Sequence, residues 1–173
     1  MPDILYSGKP YKNIIFNISI KADFNEILKK LDSLSIDMEG IDQEMIKYAI
    51  LELVNNSLRA HREKKVQEKI ILHFSSQNND LFVRVKDKGG GFDKSKLPYD
   101  VNSEPSQIDV NSDIFQEYRE KFKYQRFGMG LLVGKKVFPF FKIRFYNAMG
   151  NDTDWIPGQV SGTIIDMRIG GNY

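Results

Sequence analysis

Residues 42–63, DQEMIKYAILELVNNSLRAHRE, put three chemically capable side chains on one line. At about 100° per residue in a helix, Glu52, Asn56 and Arg59 fall within roughly a 60° arc, with Tyr48 and Asn55 at its margins. A carboxylate, a carboxamide and a guanidinium so arranged could together handle a metal and a phosphate. Asn56 supplies a neutral oxygen suited to a hard cation such as Mg²⁺. Glu52, one turn away, could take a proton from water or from a hydroxyl attacking a terminal phosphate. Ile46, Ile50, Leu53, Val54 and Leu58 cover the opposite side, which suits packing on a sheet. The plainer alternative is a surface helix whose polar face is wet.

Two glycine-bearing stretches extend the chemistry. Asp87-Lys88-Gly89-Gly90-Gly91 follows an expected strand. A carboxylate there can accept a hydrogen bond from an exocyclic amine such as that of adenine, and glycines let backbone approach a flat ring without a Cβ in the way. Gly128-Met129-Gly130 opens an apolar helical run, where free N–H groups and the positive dipole end favour phosphate. Each stretch alone also reads as an ordinary flexible turn.

The elements that must position these residues alternate in an order set by periodicity. Asn13–Ile20 is rich in β-branched and aromatic residues and reads as a strand. Asp23 is expected to cap a helix through about Leu34, and residues 37–40 to connect it to the long helix. Strands over 69–75 and 81–87 are joined by the turn-forming run SQNND. The second alternates, with Leu81, Val83 and Val85 on one face and Phe82, Arg84 and Lys86 on the other, so one sheet face meets the core and one meets water. Residues 92–127 lose regular patterning, apart from a short helix expected over 112–124, and a segment of that length suggests a lid. The helix LLVGKKVF stops at Pro139, and a last hairpin pairs Lys142–Ala148 with Thr163–Ile169 around a loop carrying Trp155. The expected fold is α+β: a two-layer α/β sandwich with helices over one face of a mixed, mostly antiparallel sheet. No repeat or linker divides the chain, so residues 1–173 are expected to form one domain.

Composition bounds the partners. The formal net charge of +2 is too small to argue for direct nucleic-acid binding. The chain has no cysteine, which excludes disulfides and thiolate chemistry and is compatible with a reducing cytosol. No apolar run approaches the roughly 20 residues that cross a bilayer, and the N-terminus lacks a signal-peptide core. A soluble, cytoplasmic protein with no membrane partner is expected.

Taken together, order and spacing are more specific than any one stretch. LELVNNSLRAH resembles the N box, VKDKGGGFD the G1 box, and RFGMGLLVGKKVF the G2 box of the GHKL, or Bergerat-fold, ATPase superfamily, and Gly162-Thr163 resembles the Gly-Thr pair that closes its adenine pocket. The resemblance runs from about Ile41 to Ile169. It implies ATP and Mg²⁺ as cofactors, with Asn56 a Mg²⁺ ligand, Asp87 on the adenine amine, Gly89 and Gly91 shaping the base pocket, and Thr163 closing it. It further implies an ATP lid over 92–127, Gly128 and Gly130 close to the phosphates, and Arg59 and Arg126 as phosphate contacts. Glu52 stands where ATPases and anti-sigma serine kinases carry a catalytic glutamate and histidine kinases usually carry asparagine. A base there suits transfer to a neutral oxygen nucleophile better than to an imidazole.

His61 and His73 are the only histidines, and neither lies on a helix preceding the ATP-binding region, so both read as ordinary residues. Trp155 is expected to fold back on the domain. The layout is similar to that of stand-alone anti-sigma-factor serine kinases. That likeness implies a regulatory kinase that phosphorylates a serine or threonine of a small antagonist protein and binds a sigma-like factor according to its nucleotide. It departs from that type in its longer lid and in carrying Ala60, with His61 one residue on, where a histidine is expected. The alternatives are a non-catalytic, nucleotide-gated binding module and a histidine-kinase-like domain acting in trans. Such domains often form homodimers, although no residue here argues for one.

Overall fold

The computed structural model describes residues 3–97 and 127–170. The expected helix over 112–124, Arg126 and most of the expected lid over 92–127 lie outside those residues. Strands β3 (Asn13–Ile18), β5 (Ile70–Gln77), β6 (Asp80–Asp87), β9 (Gly162–Gly170), β7 (Phe140–Tyr146) and β8 (Asp152–Thr153) form one sheet in that spatial order, and each described pairing is antiparallel. Helices α1 (Phe24–Asp32), α2 (Gln43–Glu63) and α3 (Phe127–Val137) pack on one face. The fold is α+β, a two-layer sandwich.

Strand alternation decides which face the helices cover. Leu81, Val83 and Val85 of β6 are buried, whereas Arg84 between them is exposed. Ile46, Ile50, Leu53, Val54 and Leu58 of α2 are all buried in the layer between helix and sheet. Capping fixes where the helices begin: Asp23 accepts from the Glu26 N–H at 2.9 Å and Asp42 from the Met45 N–H at 3.2 Å. The far end of α2 is tied down by Arg62, which donates to the carbonyls of Ile20 and Ala22. Helix α3 ends just before Pro139, as its missing N–H requires. Among the described residues no helix is long and apolar enough to cross a membrane.

Within the first forty residues the strand from Asn13 and the helix capped by Asp23 form as expected, but a second, small sheet is added. Helix α1 stops at Asp32, and Leu34–Asp37 forms a strand, β4, with Leu34 and Ile36 buried. It pairs with β1 (Asp3–Tyr6), which in turn pairs with β2 (Lys9–Tyr11), giving a second sheet of order β2-β1-β4. Leu34 follows Leu31 at helical spacing, but Ser33 closes the helix by donating to the Lys29 carbonyl through both its N–H and its hydroxyl. Past that point the period-two burial of Leu34 and Ile36 is satisfied only by a strand.

Candidate functional site

Strand β6 ends at Asp87, opposite Thr163 of β9, and the inner face of α2 passes over that corner. The Asp87 carboxylate is buried and takes the Ser57 hydroxyl at 2.6 Å and the Gly89 N–H at 2.9 Å, with the Thr163 N–H at 3.4 Å. Burial pushes its pKa above 3.8, while these donors pull the other way. The Tyr146 hydroxyl donates to the Asp87 main-chain carbonyl. Burial, then the nearby charges of Asp87 and Glu68, push the Tyr146 pKa up to about 12, so it stays a donor. One residue on, the Lys88 N–H donates to His61 Nε2 at 2.7 Å. That bond makes Nε2 the acceptor and puts the ring proton on Nδ1, which donates to the Glu68 carbonyl at 3.0 Å.

Small residues make room at this corner. A Cβ on Gly89 would lie 2.7 Å from Ala60 Cβ, and one on Gly162 would overlap the Asp87 carbonyl oxygen. Gly91 has φ +70° and faces Val160, Phe145 and Trp155, so it is held in the left-handed region with no space for a side chain. Trp155 is half-buried and folds back against this turn, as expected. The result is an apolar slot walled by Leu53, Phe92, Leu131 and Ile165, with one buried carboxylate and the Asn56 amide opening into it.

Asn56 also borders a second, polar depression with Glu52, Asn55 and Arg59. The polar face of α2 is therefore not simply wet. Glu52 is 9% and Asn56 4% exposed, because Gly130 of α3 lies against them: a Cβ there would come 2.8 Å from Asn56 Nδ2. Asn56 Nδ2 and one Arg59 Nη are buried without hydrogen-bond partners. Both orphans are donors, so what they lack is an acceptor. Phosphate oxygens supply acceptors in quantity, and a purine in the neighbouring slot would offer its amine to Asp87.

A family model for histidine kinase-, DNA gyrase B-, and HSP90-like ATPases matches residues 41–149. The chain belongs to this family. It carries the family's ATP-binding module: the slot offers the acceptor and the depression the donors that a base and its phosphates need, and the slot, at about 20 Å³, must widen to admit a ring. No curated protein matches the chain. Asn56, Asp87, Gly89, Gly91 and Thr163 gather around the slot, and Glu52 and Arg59 around the depression, with Gly130 behind them. Gly128 lies in the first turn of α3.

Three residues of this corner were not singled out for it by the sequence: Ser57, His61 and Tyr146. Ser57 and His61 sit near the middle of the apolar stripe of α2, at about 140° and 180° from Glu52. A hydroxyl and an imidazole in that position must find buried partners, and this was the available signal.

Two outcomes follow from the burial of this corner. Because the folded pKa of Asp87 is raised, the unfolded chain releases its proton first, so stability falls as pH rises from 3.8 to the folded pKa. Asp87→Asn does not titrate, and the stability of wild type relative to this variant should decline across that window and level off above it; paired denaturant midpoints measured from acid to neutral pH check this. His61 is fully buried, and His61→Phe strands the Lys88 N–H and the Glu68 carbonyl. Chemical denaturation should show a loss of about 2–4 kcal/mol.

Proposed function

We propose that the chain is an ATP-binding regulatory protein kinase of the anti-sigma-factor type, transferring the γ-phosphate to a serine or threonine of a small antagonist protein. The observation that carries this reading is Glu52: a nearly buried carboxylate one turn before Asn56, beside the donor-rich depression. In that place it can accept the hydroxyl proton of the protein substrate as the oxygen bonds to phosphorus and ADP leaves. Arg59, with its unpaired Nη, would hold phosphate oxygens, and Asp87 would accept from the adenine amine between Gly89, Gly91 and Thr163.

Among the described residues no group of three or more His, Asp or Glu could cage a metal. Mg²⁺ would be held as it usually is with nucleotides, by the Asn56 amide oxygen together with phosphates and water. In this reading residues 1–173 act as one ATP-binding domain. Residues 92–127 serve as its lid, Arg126 reaches the γ-phosphate, and the backbone at Gly128 and Gly130 approaches the phosphates. A sigma-like factor would be the alternative partner, bound according to whether ATP or ADP is present. The close approach of Gly130 to Asn56 favours a second reading, in which α3 reports nucleotide state to a partner without phosphoryl transfer.

Incubation with γ-labelled ATP, Mg²⁺ and an extract of the source cells separates these. Acid-stable label on a small protein supports the kinase, acid-labile label points to histidine, and ATP binding without label leaves the nucleotide-gated module. Glu52→Ala should lower transfer by about 10²–10⁴-fold while ATP affinity stays within a few-fold; unchanged turnover would refute the base assignment. Asp87→Asn should weaken ATP binding about tenfold or more, measured by calorimetry, since it removes a charged acceptor.

A further inference from the structure

The helices cover one face of the large sheet, and no described element lies on the other. Strand register places the side chains of that open face in rows. One row runs Ile15, His73, Arg84, Asp166, Lys142; on either side of it Lys86, Ile164, Arg144 and Phe82, Arg168, Phe140 line up. Asp166 on β9 is consequently ringed by five cations among the described residues: Arg84, Lys86, Lys142, Arg144 and Arg168. It accepts from Arg84 Nε and, at 3.0 Å, from Arg144. Asp152, at one end of the face, takes the other side of the Arg144 guanidinium at 3.1 Å, and Asp80 stands at the opposite end.

Arg84, Lys142, Arg144 and Asp166 line a concave depression together with Ser75 and Phe82, and Lys142 and Arg84 are exposed. Ser75 is 7% exposed, and its hydroxyl is buried without a hydrogen-bond partner. The depression thus combines surplus positive charge with an unsatisfied polar group, on the side of the sheet away from the ATP site.

We propose that this face binds an extended, acidic polypeptide segment of a partner protein. Asp166 already demonstrates the recognition: one carboxylate held between two guanidiniums, the pairing that arginine geometry favours. Lys142 and Arg144 are two residues apart on β7, about 6.7 Å along the strand, so an extended segment with carboxylates at alternate positions matches their spacing, its second carboxylate replacing the exposed Asp152 on Arg144. Single-stranded nucleic acid fits less well, because it relies on open aromatic rings for stacking. Here Phe140 is the one exposed ring among the described residues of the face, with Arg168 over it at 5.3 Å, and Lys86 covers the buried Tyr146 at 5.1 Å.

The test is fluorescence anisotropy on the full chain at physiological ionic strength, with a short labelled peptide of alternating Glu and Ser, one of the same composition with its Glu in a single block, and an oligothymidylate. The alternating peptide should bind most tightly. Lys142→Glu should weaken it about tenfold while ATP binding is unchanged. Asp166→Asn removes the carboxylate shared by Arg84 and Arg144, frees Arg84, and should strengthen binding several-fold, provided the variant still binds ATP. Absence of peptide binding, indifference to Lys142→Glu, or tighter binding of the oligothymidylate would each overturn the proposal, the last by making the face a nucleic-acid surface.

Discussion

Keeping the Asp87 carboxylate out of water is the constraint on which this architecture turns. A buried carboxylate is tolerated only where donors replace the lost solvation, and here they come from separate parts of the chain: the Ser57 hydroxyl of α2, the Gly89 N–H of the following turn and the Thr163 N–H of β9. Tyr146 and His61 hold the main chain on either side, through the Asp87 carbonyl and the Lys88 N–H. None of these donors can shift far without stranding the acid. The helix, the turn and the two strands are therefore locked at one spacing, and the glycines at 89 and 162 are what that spacing allows.

The same corner divides binding into two chemistries that share a residue. On one side of Asn56 lies an apolar slot with a single acceptor; on the other lie orphaned donors and a carboxylate. A ligand with a flat heterocycle at one end and oxygens at the other satisfies both, which gives the family assignment a physical basis. Because the acceptor and donors sit in different compartments, substitutions can separate recognition of the base from handling of the phosphates.

Much of this was legible in the chain because it is local. The apolar stripe of α2 and the alternation of β6 each need only a short window of sequence, and the glycines after Asp87 mark a turn by themselves. What escaped reading depends on distant partners or on weak local signals. Burial of Glu52 and Asn56 requires Gly130, over seventy residues away, and a helical wheel of α2 alone presents that face as solvent-exposed. Ser57 and His61 broke the apolar stripe without indicating which buried groups they would meet. The β1–β2 hairpin did leave a local mark: Ser7 and Gly8, with φ of 50° and 80°, form a two-residue turn of the kind that hairpins favour, between strands of only three and four residues.

Strand β9 follows β6 and β7 in the chain but lies between them in the sheet, and it brings Thr163 and Gly162 to Asp87. During synthesis β6 and β7 therefore emerge without the strand that joins them, and the acid waits with part of its donor set missing. Insertion of β9 closes the sheet and completes the donor set in one event. The nucleotide corner therefore stays incomplete until β9 pairs with β6, and a ligand that binds only the completed corner would favour that pairing by mass action.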